Sequence, residues 1–171
     1  MNAINITYSL DDIFEIAQQI ERNGAVFYRK AAIILNTNAL VSNLFLTLLA
    51  QEKEHELMFR KMREALVKNV TAKPRQDKSD IIGHYLRELA GQFVFDLENN
   101  PLENSLHDDL SVEQALRLAL GMEKDSIVFY TGLRQAVDAE AQQKVDCIIK
   151  QEELHFSGIA KTIRELRAGR K

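Results

Sequence analysis

Residues 51–55 read Gln-Glu-Lys-Glu-His (QEKEH), and residues 151–155 read Gln-Glu-Glu-Leu-His (QEELH). The chain has four histidines, and two of them close these pentamers. Both pentamers interrupt segments whose apolar residues recur with helical period. Around the first, the stripe runs Val41, Leu44, Phe45, Leu48, then Phe59, Met62, Leu66. The inward positions between Leu48 and Phe59 are 52 and 55, and Glu52 and His55 fill them. Around the second, the stripe runs Val145, Ile148, then Ile159, Ile163, Leu166, and its gap is filled by Glu152 and His155. Each segment therefore turns a carboxylate and an imidazole inward, one turn apart, near its middle.

Two more helical segments carry one inward carboxylate each. Glu21 lies between Ala17 and Ala25, and Glu123 lies between Ala119 and Ile127. Tyr28 and Tyr130 follow these glutamates by seven residues. Side by side the stretches are ERNGAVFY (21–28) and EKDSIVFY (123–130), sharing Glu-x₄-Val-Phe-Tyr. The first pair of helices thus reads as a weak internal copy of the second. A bundle with pseudo-two-fold symmetry would gather four carboxylates and two imidazoles at its centre. Four buried carboxylates without compensation are very costly. Two divalent cations would neutralise them if the histidines stay neutral. One Glu from each of two helices plus Glu-x-x-His from each of the other two is the ligand arrangement of a dinuclear carboxylate site in a four-helix bundle. Glu21, Glu52, His55, Glu123, Glu152 and His155 are the expected metal ligands. Their mixed oxygen and nitrogen donors suit iron or manganese, with zinc as a further candidate. Glu54, Glu56, Glu140 and Glu153 are expected to stay outside this set, on solvated faces. Tyr28 and Tyr130 are expected to hydrogen-bond to ligands, because a buried phenol needs a partner.

The rest of the sequence supports an all-α frame. Seven Gly and two Pro in 171 residues leave few turns, so the elements are few and long. Ser9 with Asp12 reads as an N-cap with an acidic N3 residue, and Ser111 with Gln114 as a capping box. Asp138 can cap the last run. Asn36-Thr37-Asn38 is a short turn. The predicted helices run from Leu10 to Leu35, Val41 to Leu66, Val112 to Val137 and Ala141 to Leu166, each roughly 40 Å long at 1.5 Å per residue. Short turns make the first two, and the last two, antiparallel neighbours. Residues 69–110 form a crossover long enough to return along the bundle, with a short helix expected from Asp80 to about Phe93. His84 and His107 fall in this crossover and are expected to be solvated or peripheral. The whole of 1–171 reads as a single domain.

Composition excludes several function classes. A net charge of −3 gives no nucleic-acid footprint. The start, MNAINITYSLDD, lacks the basic and apolar regions of a signal peptide. The longest apolar run, Ala39 to Ala50, contains Ser42, Asn43 and Thr47 and is too short and polar to span a bilayer. Cys147 is the one cysteine, so neither an internal disulfide nor a four-cysteine metal centre can form within these residues. Cys147 lies beside Ile148 and is expected to pack as a small hydrophobe. The basic tail RELRAGRK reads as a frayed helix end. A cytoplasmic protein is expected.

With these residues in place, the sequence resembles the rubrerythrin branch of the ferritin-like superfamily. The likeness rests on Glu21 with Phe27-Tyr28, Glu52-x-x-His55 within LLAQEKEHELMF, Glu123 with Phe129-Tyr130, and Glu152-x-x-His155. It spans all four helices. It implies a ferritin-like antiparallel bundle and two Fe ions that react with hydrogen peroxide or O2. It also implies Glu52 and Glu152 as bridging ligands, which together with Tyr28 and Tyr130 serve the reaction. Members of the family act as peroxide reductases, whereas more distant relatives oxidise Fe(II) for storage. The chain departs from the family in two places. Peroxide-reducing members carry Glu-x-x-Glu on the third helix, and here Ser126 stands three residues after Glu123. The full-length family carries a four-cysteine rubredoxin module, so electrons here are expected from a separate donor such as a rubredoxin, or from Fe(II) itself. A homodimer is expected. The alternatives are a ferroxidase or iron-binding protein, and a non-catalytic interaction module stabilised by metal.

Overall fold

The structure, a computed structural model, describes residues 9–68, 106–107 and 110–169. Among these, four helices form an antiparallel bundle: α1 (Leu10–Ile34), α2 (Ala39–Lys68), α3 (Val112–Ala136) and α4 (Ala139–Ala168). The short helix expected near 80–93, together with His84, lies outside the described residues. His107 is exposed.

The helices begin where the sequence supplies partners for their free N–H groups. The Ser9 hydroxyl accepts from Asp12 N at 3.2 Å, and Asp12 Oδ2 accepts from Ser9 N at 2.9 Å. Ser111 and Gln114 make the same reciprocal pair at 3.2 and 3.0 Å. Asp138 Oδ1 accepts from Ala141 N at 2.9 Å. Asn38, read from sequence only as a turn residue, accepts from Val41 N at 3.2 Å at the entry to α2.

α1 packs chiefly on α2, and α3 on α4; the two hairpins join through α1 against α3 and α2 against α4. The core is split into two apolar layers. One gathers Ile13, Phe14, Ile20, Phe59, Leu133 and Ile148, among others. The other gathers Phe27, Ala31, Phe45, Leu48, Leu116 and Ile159. The first layer holds the start of α1, the end of α2, the end of α3 and the start of α4; the second holds the opposite ends. Hence α2 finishes at one end of the bundle and α3 starts at the other, as the long crossover requires. Two side chains depart from the sequence pattern. Cys147 is exposed rather than packed, and Ile127 is only half-buried. One position along a helix turns a side chain about 100°, enough to take a neighbour of Ile148 off the stripe. No described helix is long and apolar enough to cross a membrane.

Candidate metal centre

Between the two apolar layers lies a polar band. Glu21, Glu52, His55, Glu123, Glu152 and His155 are each at most 5% exposed. All six residues singled out from the stripe gaps are therefore brought together, one carboxylate each from α1 and α3 and a carboxylate–imidazole pair each from α2 and α4. The rings of His55 and His155 lie 5.6 Å apart and nearly parallel.

Ligand-type atoms converge in two groups, each within 4.8 Å of one another: Glu21, Glu52, His55 and Glu152 in one, and Glu52, Glu123, Glu152 and His155 in the other. Glu52 and Glu152 belong to both. The Nδ1 atoms of the histidines point inward. His55 Nδ1 lies 2.8 Å from Glu152 Oε1 and 3.5 Å from Glu21 Oε2. His155 Nδ1 lies 3.3 Å from Glu152 Oε2 and 3.4 Å from Glu123 Oε2. Yet Glu21 Oε2, Glu152 Oε1 and both Nδ1 atoms are buried without a hydrogen-bond partner. Buried polar atoms that converge at short range but form no hydrogen bonds are what a cation-binding pair of positions needs. The donor set therefore fits two metal ions that share two carboxylates.

The tyrosines close the band from either side. The Tyr130 hydroxyl donates to Glu21 Oε1 at 2.5 Å, and the Tyr28 hydroxyl donates to Glu123 Oε1. Sequence repetition pairs each phenol with an inward glutamate, and the structure makes that pairing crosswise: each phenol donates to the carboxylate of the other hairpin. Tyr28 stacks on Phe45 with centroids 5.7 Å apart, and Tyr130 packs on Phe59 at 4.8 Å. Each ring thus belongs to an apolar layer while its hydroxyl reaches the polar band.

Electrostatics express the crowding. Burial, reinforced by neighbouring carboxylates, raises Glu21 and Glu52 well above the usual carboxylate range. Burial and the adjacent Glu152 push Glu123 up to about 8. Glu152 goes the other way: burial opposes its charge, but the Glu123 carboxyl and the His155 and His55 imidazoles lying against it favour the charged form and hold it low. Burial also opposes charge on the imidazoles, yet Glu152 brings His55 up to about 9, and Glu123 with Glu152 brings His155 up to about 10. Burial, then the nearby carboxylates, raise both phenols. Without cations, the cluster compensates its charge with protons.

Sequence reasoning missed two residues here. Gln151 Oε1 lies 2.5 Å from His55 Nε2, on the outer side of that ring. Its signal was the Gln repeated at the head of both pentamers. Gly24 was read only as part of the α1 stripe. A Cβ at Gly24 would lie 2.7 Å from Glu52 Oε2 and 3.1 Å from its Cδ. The absence of a side chain there gives the Glu52 carboxylate its place. Gly24→Ala should leave the metal-free fold intact or firmer, by up to about 1 kcal/mol of helix propensity, while displacing that carboxylate. Metal binding should weaken by about tenfold or more, whereas Gly158→Ala, with open space around its Cβ, should be silent. Titration of both metal-free variants with Fe(II) under argon checks this; equal affinities would refute it.

The rubrerythrin family model matches residues 12–163. Among solved structures, one described as a ferritin-like diiron-carboxylate protein from Thermotoga maritima is 26% identical, with a TM-score of 0.65, over 93% of this chain and 97% of that chain. No curated protein matches the chain.

Proposed function

This chain belongs to the rubrerythrin family, and on that premise we propose that the polar band holds two iron ions and that the protein is a non-haem di-iron oxidoreductase reducing hydrogen peroxide or O2. The observation that carries this reading is the sharing of Glu52 and Glu152 by two four-residue donor groups. Glu21 and His55 would complete one position and Glu123 and His155 the other, with Glu52 and Glu152 offering donors to both. When bound, two Fe(II) supply one electron each, which with two protons reduces one H2O2 to two H2O.

The chain's own residues prepare this chemistry. Tyr28 and Tyr130 hold the terminal carboxylates by donating to Glu123 and Glu21. Because both phenols are held protonated, they act as hydrogen-bond donors and do not compete with the carboxylates as anionic ligands. The apolar layers on either side keep bulk water from the band and strengthen its electrostatics. One cysteine cannot build a four-cysteine iron centre within these 171 residues, so in this reading the electrons come from another module, such as a rubredoxin.

The test is single-turnover mixing. Protein loaded under argon with two Fe(II) per chain is mixed with one equivalent of H2O2 and, in parallel, with O2. The expected result is oxidation of both irons by one peroxide, with iron retained and re-reducible through further cycles. Ferric product leaving the protein would make Fe(II) the substrate and overturn the reading. Absence of oxidation by either oxidant would do so as well.

A further inference from the structure

The two pentamers are copies, but their histidines are not equally supported. His55 Nε2 meets Gln151 Oε1 at 2.5 Å, a contact from α4 to the outer edge of the α2 imidazole. An amide oxygen can only accept, so this contact places the imidazole hydrogen on Nε2. Once Nδ1 gives up its proton to an incoming metal, His55 is left with a bare inward lone pair and its remaining hydrogen held on Nε2, the form a metal requires. By the internal repeat, Gln51 on α2 should do the same for His155 on α4. It does not: His155 Nε2 is buried and has no hydrogen-bond partner, like its Nδ1. For His155 to offer Nδ1 to a metal, its hydrogen has to sit on Nε2, in a buried place without an acceptor. That penalty falls on one position and not on the other.

We infer that Gln151 is a positioning residue that makes the two metal positions unequal, so that the one served by His55 binds a divalent ion about ten- to a hundredfold more tightly than the one served by His155, the usual effect of a hydrogen-bond partner behind a ligating imidazole. The inference rests on the di-metal reading above and adds an order of filling to it. The Glu21–His55 position fills first and holds its ion. The Glu123–His155 position fills second and exchanges more readily.

The experiment is anaerobic titration of the metal-free protein with Co(II), read by calorimetry and by the visible bands of the bound ion. Wild type, Gln151→Leu, Gln151→Glu, His55→Ala and His155→Ala are compared, each with its fold checked by circular dichroism. Wild type should bind two ions in separated steps. Gln151→Leu, which removes the acceptor, should weaken the tight step by about tenfold or more and leave the weak step in place. Gln151→Glu, which keeps an acceptor, should retain the tight step. His155→Ala should keep one tight ion, and His55→Ala only a weak one. Two ions bound by wild type with constants unchanged in Gln151→Leu would overturn the inference while leaving the di-metal reading intact. No Co(II) bound by folded wild type would overturn both.

Discussion

Glu52→Ala should empty both metal positions together. Protein produced in iron-rich medium and analysed by mass spectrometry should fall from about two ions per chain to fewer than one. The magnitude follows from the sharing of Glu52 between the two donor groups: its loss removes one donor from each position and a bridge from the pair. It also removes one negative charge, so two divalent ions no longer find four carboxylates to balance them. The variant should still fold, because in the metal-free state this buried carboxyl is a burden rather than a support. Glu54→Ala, one turn-face away and exposed, is the control and should keep its metal. Retention of two ions by Glu52→Ala would end the ligand assignment.

The second large effect is an opposition between pH and metal. Chelator-treated protein should melt at progressively lower temperature as pH is raised from 6.5 to about 10. In the fold, His55 and His155 titrate at about 9 and about 10, against 6.5 for an ordinary imidazole. Raised pKa values mean that the folded state binds more protons than the unfolded chain across that window, so stability falls as pH rises. The stabilisation is complete below 6.5 and is lost through the two raised values. Glu21, Glu52 and Glu123, also raised, act in the same direction from a lower starting pH. Glu152, held low, has the opposite sign, but its loss comes only below the ordinary carboxylate range. Metal binding has to displace these protons, so apparent affinity should rise with pH while metal-free stability falls. A metal at a thousand times its dissociation constant contributes about 4 kcal/mol, or roughly 8–16 °C in a chain of this size. Melting curves of chelated and loaded protein at several pH values decide the matter. Parallel curves for the two forms would show that the cluster does not exchange protons for metal.

Much of this was legible in the sequence, for a specific reason. A helix fixes which residues face inward, so four ionisable residues at positions 52, 55, 152 and 155 declared themselves by occupying apolar slots. Glu21 and Glu123 followed by the same register, and three of the four caps were readable from local chemistry. What escaped depends on contacts between helices. Periodicity says that Tyr28 and Tyr130 point inward but not whose carboxylate they meet. It cannot say that Gln151 reaches across to His55 while its copy Gln51 leaves His155 alone. Gly24 resembled any small residue on a stripe until the Glu52 carboxylate was seen lying against it. Cys147 failed in the other direction, because adjacency to Ile148 in sequence is not adjacency in space.

The crossed phenols bear on how such a bundle is built. Tyr28 of the first hairpin serves Glu123 of the second, and Tyr130 of the second serves Glu21 of the first. That reciprocity, residue i on j and j on i, is the rule of an isologous contact between identical subunits. Each hairpin lends its phenol to the other, and each is completed by a near-copy of itself. The single chain thus encloses, as its interior, what is geometrically a dimer interface, and the crossover serves as the tether that keeps the two halves at fixed stoichiometry.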